Sequence, residues 1–311
     1  MNGMKHFFYK VTLFILLITL TCLLTEYFLR RIPNEYTLKR EYLDKNSDSI
    51  EVLFLGGSHG RSGFNPVYMT KRSFNAAQHS QSLDYDFEIL KKYQNKWSNL
   101  QYIILPISYG TMFSKLATGP EAWRAKSYII YFDIILTDNL RYHTEIMNGI
   151  LGTQFYRLYS YYSKKIDEVN CTDLGWGIAN FSNDLVKTGL DAAKRHAEFD
   201  DYKYYKEMTS ILDSISSFAK RNNARLLMIT TPTFISYREN LKKNQLDLTI
   251  NAARNLVNNN DNCYYLNLFN DSFFTDADFR DGDHLNANGA RKLTLIIDSL
   301  INQGTITNKF Y

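Results

Sequence analysis

Four short apolar runs stand out along the chain, at residues 50–55, 102–107, 226–231 and 264–268, each bounded by polar or turn-forming residues. Strands that are apolar on both faces are buried on both, which is the pattern of a parallel sheet covered by helices. Between and after them the period changes. Met208, Ile211, Leu212, Ile215, Phe218 and Ala219 fall at i, i+3, i+4, i+7 spacing, and Leu293, Ile296, Ile297, Leu300 and Ile301 repeat it near the carboxyl end. Each set puts one apolar stripe on an amphipathic helix. Buried strands alternating with such helices predict an α/β fold of three layers, helix over mostly parallel sheet over helix.

Two segments break this rhythm. Residues of about 114–200 are rich in Tyr, carry Trp123 and Trp176, and separate the second run from the third. They read as a helical insertion over the carboxyl ends of the strands, where α/β sheets bind ligands. The other segment is the amino terminus, where Lys5 and Lys10 flank an apolar stretch through residues 11–29 that ends at Arg30-Arg31. About 19 residues of helix reach ~28 Å, close to the hydrocarbon thickness of a bilayer. No small-residue cleavage site follows it, and Thr19 and Thr21 are wrong for a lipoprotein site at Cys22, so the stretch is expected to stay as a single membrane anchor. The expected layout is an anchor at 1–31, a connector at 32–49, and one α/β domain at 50–311 carrying the insertion.

The positive residues after the span (Arg30, Arg31, Lys39, Arg40) outnumber those before it, so charge alone would keep the domain in the cytoplasm. An anchor on one soluble domain nonetheless argues for delivery across the membrane, to the periplasmic or cell-surface side. Composition excludes several classes. Hydrophobic residues at 45% and charged residues at 22% describe an ordinary globular chain, not a disordered one. Lys+Arg 36 against Asp+Glu 32, with no basic stripe, argues against a nucleic-acid partner. Cys22, Cys171 and Cys263 allow at most one disulfide and show no zinc-ligand spacing. Cys171 and Cys263 either pair in an oxidising compartment or stay as buried thiols.

The chemistry concentrates at two turns. In Gly56-Gly57-Ser58-His59-Gly60, glycines flank a serine at the end of the first strand, a place that holds a hydroxyl at the sheet edge and starts a helix with free N–H groups. Neither a phosphate-binding loop nor a dinucleotide fingerprint fits the glycine spacing here. Near the other end, Asp281-Gly282-Asp283-His284 precedes the final helix. A serine needs a base to take its proton, and an imidazole needs a carboxylate to fix its tautomer. Ser58 as nucleophile, His284 as base and Asp281 as orienting acid meet these needs. Asp283 is the alternative acid and His59 the alternative base. A metal site on His59, His79 or His284 lacks paired-ligand spacing, so no metal and no cofactor is expected.

These blocks resemble the SGNH/GDSL hydrolase superfamily, with Gly57-Ser58 matching its first block and Asp281-Gly282-Asp283-His284 its last. Residues 57–66, 74–78 and 105–108 are similar to its membrane-anchored branch, the D-alanyl-transfer proteins and alginate-type O-acetyltransferases. The resemblance implies a flavodoxin-like sheet, an acyl-enzyme at Ser58, an acylated glycan or other acyl donor as ligand, and a membrane-bound acyltransferase as partner. The family's second-block Gly and third-block Gly-x-Asn-Asp are not plainly present. The oxyanion donors are then expected from the Ser58 N–H together with Asn75 or Ser108. Three readings follow: an ester hydrolase acting on cell-envelope polysaccharide, an O-acyltransferase using the same triad, and a non-catalytic binder of glycan or acyl carrier on the same fold.

Overall fold

The computed structural model describes residues 2–177, 184–197 and 202–303. Parts of the expected insertion, 178–183 and 198–200, and the chain end at 304–311 lie outside the described residues. The chain forms two compact units, one of residues 1–37 with 122–169, the other of residues 38–121 with 170–311.

The larger unit is the α/β one. Its strands are β1 (Val52–Phe54), β2 (Ser73–Asn75), β3 (Tyr102–Pro106), β4 (Arg225–Thr230) and β5 (Cys263–Asn267), in the order β2-β1-β3-β4-β5. Every pairing is parallel, so the mostly parallel three-layer expectation holds. In chain order the α-helices among the described residues are α1 (Asn2–Leu29), α2 (Glu35–Asn46), α3 (Ser58–Gly63), α4 (Leu83–Lys92), the single turn α5 (Ala125–Ser127), α6 (Leu151–Tyr162), α7 (Leu185–Ala197), α8 (Tyr205–Arg221), α9 (Ile235–Arg238), α10 (Lys243–Asn259) and α11 (Ala287–Gln303).

Alternate residues of each strand enter opposite faces of the sheet. Val52, Phe54, Ile104, Leu227, Ile229 and Leu266 pack with Leu293, Ile297 and Ile301 of α11 in one core layer. Leu53, Ile103, Leu105, Leu226 and Met228 point the other way and are also fully buried, so both faces are covered. The four apolar runs of the sequence are β1, β3, β4 and β5. The edge strand β2 has no such signature, because Ser73 and Asn75, two of its three residues, are polar. Its outer edge is closed by the loop at 170–177, where the Asn75 N–H donates to the Leu174 carbonyl at 3.0 Å, which removes an open edge.

In the smaller unit α1 carries the stretch Gly3–Leu29, long and apolar enough to cross a membrane; its most apolar 18-residue window is unburied, while Leu29 at its end is buried. Around its carboxyl end the chain builds a polar knot. Glu145, fully buried, accepts from Lys126 at 2.6 Å, Tyr131 at 2.6 Å and Arg157 at 2.7 Å. Burial opposes its charge, but Lys126 and Arg157 outweigh that and hold the carboxyl below its usual range.

Candidate active site

The turn after β1 is built to present Ser58. Gly56 has φ +98°, and a Cβ there would run into the Pro106 ring, so only glycine fits. The Gly56 N–H donates to Asp86 Oδ1 at 2.7 Å, and Gln81 Nε2 donates to the same oxygen at 2.5 Å. Burial pushes the Asp86 carboxyl up to about 7 even against these donors. Ser58 then opens α3 at the carboxyl end of β1. In this strand order the chain runs to β2 on one side of β1 and to β3 on the other, and such a switch point is where open α/β sheets leave a crevice.

α3 is short and is pinned by its neighbours. Asn75 Nδ2 donates to the Phe64 carbonyl at 2.7 Å and to the Gly60 carbonyl at 3.0 Å, tying down the carboxyl end of the helix. The 170–177 loop adds three bonds. Trp176 Nε1 donates to the Ser62 carbonyl at 2.8 Å, the Gly177 N–H to the Arg61 carbonyl at 2.9 Å, and Arg61 Nη2 to the Asn170 carbonyl at 2.8 Å.

The second turn is organised by Asp281. Its Oδ1 accepts the His284 N–H at 2.9 Å and the Asp283 N–H at 3.2 Å, and its Oδ2 accepts from Arg280 Nε at 2.9 Å. Just beyond, Asn286 Oδ1 accepts the N–H groups of Asn288 at 2.8 Å and Gly289 at 3.1 Å, capping α11. α7 presses on the turn from outside. Thr188 Oγ1 accepts the Gly282 N–H at 3.0 Å, and the Gly282 carbonyl accepts the Phe234 N–H at 3.0 Å. A Cβ on Gly282 would fall on the backbone of Gly189, so glycine at 282 lets the turn touch α7, while a Cβ on Gly189 would meet Ser236 and Tyr237 instead. Backbone cannot rotate aside as a side chain can. Gly282→Ala is therefore expected to cost about 1–3 kcal/mol, the usual price of overpacking, read as a lowered melting temperature.

The two turns meet. His284 Nε2 lies 2.7 Å from Ser58 Oγ, although 226 residues separate them. On the other side of the ring, Nδ1 lies 2.9 Å from Asp281 Oδ1 and 3.2 Å from Oδ2, while Asp283 Oδ1 is also at 3.2 Å. Asp281 makes the shorter contact and is itself held by Arg280, so it is the better orienter; buried Asp283 acts on His284 mainly through its charge. Burial works against the imidazolium, but Asp283 and then Asp281 outweigh it and push His284 up to about 9. Those carboxyls are in turn held below their usual range by His284, against the effect of burial.

Three further groups complete the surroundings: His59, which the sequence offers as the alternative base, and His196 and Tyr237, which it does not mark as functional. His59 stacks on His284 with ring centroids 4.8 Å apart. Burial first, and the charge of His284 second, lower it to about 3, so it stays neutral. His196 of α7 meets the buried Tyr237 hydroxyl at 2.7 Å through Nδ1, and both feel the charge of Asp283. No local pattern could have singled out His196 or Tyr237, because they come to the turn only through the packing of α7 on α9.

The two side chains expected to supply a second oxyanion donor do not point to one. Asn75 is committed to α3, and its Oδ1 accepts the Ala77 N–H at 3.0 Å. Ser108 is committed to a local turn with Thr111, whose Oγ1 lies 2.9 Å from the Ser108 N–H and 3.0 Å from its Oγ. The Ser58 N–H, in the first turn of α3, has no acceptor among the described residues. The cysteines form no disulfide; Cys263 lies in β5 with its Sγ 3.0 Å from Ser216 Oγ. His59, Asp283 and His284 bring potential metal-ligand atoms within 4.8 Å of one another, and His79 is not part of that group. A cation bound there would take His284 from Ser58.

No protein-family model and no curated protein matches this chain. Among solved structures, one from Streptococcus pneumonia, provisionally described as a platelet activating factor, is similar over 94% of this chain and 98% of its own, at 12% identity and a TM-score of 0.43. A second, provisionally described as an acylhydrolase from Bacteroides fragilis, is similar over 84% of this chain and 95% of its own, at 10% identity and a TM-score of 0.39. The reading of the site rests on its own geometry: an α/β protein with a serine, an imidazole and a carboxylate in line at the switch point of its sheet.

Proposed function

We propose that the chain is a membrane-anchored, serine-dependent ester hydrolase, in the manner of the SGNH enzymes its sequence resembles. The observation that carries this reading is the unbroken line Ser58 Oγ, His284 Nε2, His284 Nδ1, Asp281 Oδ1, with contacts of 2.7 and 2.9 Å. Neutral His284 accepts the Ser58 proton as Oγ attacks an ester carbonyl. The Ser58 N–H, free at the start of α3, faces the developing oxyanion charge. The imidazolium then gives its proton to the leaving alcohol, and an acyl-enzyme remains at Ser58. Water, deprotonated by His284, releases the acid. A glycan hydroxyl in place of that water makes the same site an O-acyltransferase, the chemical difference being which acceptor reaches the acyl-enzyme.

The expected substrates are acyl esters of cell-envelope polysaccharide, with the domain on the extracytoplasmic side and a membrane-bound acyltransferase as partner. A non-catalytic reading, in which the fold binds a glycan or acyl carrier, draws support from the commitment of Asn75 and Ser108 to other bonds. Labelling of the detergent-solubilised full-length protein by a fluorophosphonate probe separates the two. Covalent labelling at Ser58, followed by release of acetate from acetylated glycans, is the expected result. A folded protein that the probe does not label overturns the hydrolase reading.

The raised His284 sets the pH response. Only the neutral imidazole takes the Ser58 proton, so kcat/KM is expected to rise with pH until it levels near about 9. Asp283→Asn removes the charge that raises His284 most, and its pH profile should shift to lower pH while the plateau rate is largely kept. An unchanged profile would mean that Asp283 does not set the basicity of His284. The stability effect has the opposite sense. A folded pKa of about 9 against an ordinary 6.5 stabilises the fold fully below pH 6.5, and that contribution is lost as pH rises through 9.

A further inference from the structure

We infer that the 122–169 part of the smaller unit is a membrane-interface platform, with the outer face of α6 lying among lipid headgroups beside α1. The inference rests on reading α1 as a membrane span.

α6 is inside out for a helix in water. Leu151, Phe155 and Tyr159, one stripe at four-residue spacing, are 59%, 60% and 54% exposed. Gln154 and Ser160 of the opposite side are buried, and Arg157 turns inward to Glu145 at 2.7 Å and Glu168 at 2.6 Å. A surface helix of a soluble protein does the reverse, burying its apolar stripe and wetting its polar one. Met147 and Ile150, just ahead of α6, extend the exposed apolar surface. Contiguous apolar surface of this kind marks an interaction site.

The connection to α1 identifies the occupant. The last turns of α1 are fastened to this segment: the Glu26 carboxylate accepts the N–H groups of Glu145 at 2.9 Å and Ile146 at 3.1 Å, and Arg30 Nη2 donates to the His143 carbonyl at 2.7 Å. Tyr162 of α6 donates to the Phe28 carbonyl at 3.1 Å, with the two rings 5.4 Å apart. The apolar face of α6 thus begins where the unburied apolar surface of α1 ends. Twelve residues reach only ~18 Å, too short to cross a bilayer but suited to lying in its interface. The chemistry at this level fits headgroups. Tyr27, Tyr156, Tyr159 and Tyr162 have amphipathic rings, and cations sit over two of them, Arg31 over Tyr27 at 4.3 Å and Lys164 over Tyr159 at 5.1 Å.

The test uses the full-length protein in phosphatidylethanolamine/phosphatidylglycerol vesicles. An environment-sensitive fluorophore is placed on native Cys22 within α1, or, in a Cys22→Ser background, on I150C, F155C or, as a reference at an exposed position of α10, K243C. Positions 150 and 155 should be quenched several-fold more strongly than 243 by lipids carrying a shallow nitroxide, and should be shielded from aqueous iodide. If Cys22 is quenched by deep nitroxide but 150 and 155 behave like 243, α1 spans and the platform is refuted. Shielding from iodide without quenching by lipid would place a second protein copy on the face and also overturn the inference. A Cys22 open to iodide overturns both the span and the platform.

Discussion

Ser58→Ala is expected to abolish ester hydrolysis, lowering kcat by on the order of 10⁶, as removal of the nucleophile does where the serine and its base act as a unit. His284→Ala should lose about as much, and the double variant little more, because either change alone ends the proton transfer. The side chain of Ser58 makes its one hydrogen bond to His284, and the backbone bond from Ser62 Oγ to the Ser58 carbonyl at 2.8 Å survives the substitution. The alanine variant should therefore melt close to the wild type. The measurement is initial rate on an activated acetate ester alongside a thermal melt. A folded Ser58→Ala protein that keeps even a tenth of the rate would show that the hydrolysis belongs to another group.

Asp281→Asn is expected to be the next largest loss, about 10⁴ in kcat. The neutral amide can present its N–H to Nδ1 and so favour the tautomer that carries a proton on Nε2, where the Ser58 proton must go. It also removes a charge that stabilises the imidazolium in the transition state. Asp281 holds the turn as well, accepting two backbone N–H groups and Arg280. With its oxygen in the Oδ1 place the asparagine keeps the backbone bonds, so the turn should persist; its NH2 then stands in the Oδ2 place, 3.2 Å from Nδ1, and no longer accepts from Arg280. A rate loss no greater than that of Asp283→Asn would assign the orienting role to Asp283.

The comparison of those two carboxyls shows where linear spacing stops being informative. Asp281 and Asp283 both precede His284 in a four-residue turn, and spacing favours the first only because adjacent side chains rarely meet. In the folded turn Asp281 takes the shorter contact, yet Asp283 is close enough to dominate the charge on His284. Asn75 makes the same point. It lies in a block that resembles a family motif, but its carboxamide is taken up by the end of α3.

What could be read along the chain was what local composition alone dictates. The runs that became β1, β3, β4 and β5 and the stripes of α8 and α11 were legible because burial on a strand or helix leaves a period in the chain itself. Ser58, Asp281 and His284 were legible as residue types at a strand end and a loop, since nucleophile, base and acid come from a short chemical menu. Their meeting across 226 residues was not, because it depends on how the strands order around β1. Nor were β2, polar at two of its three positions, the seating of α7 through Gly189 on Gly282, or the outward turn of Leu151 and Phe155 on α6. Each of those is set by a neighbour distant in sequence, and a contact of that kind leaves no mark in the pattern of either partner.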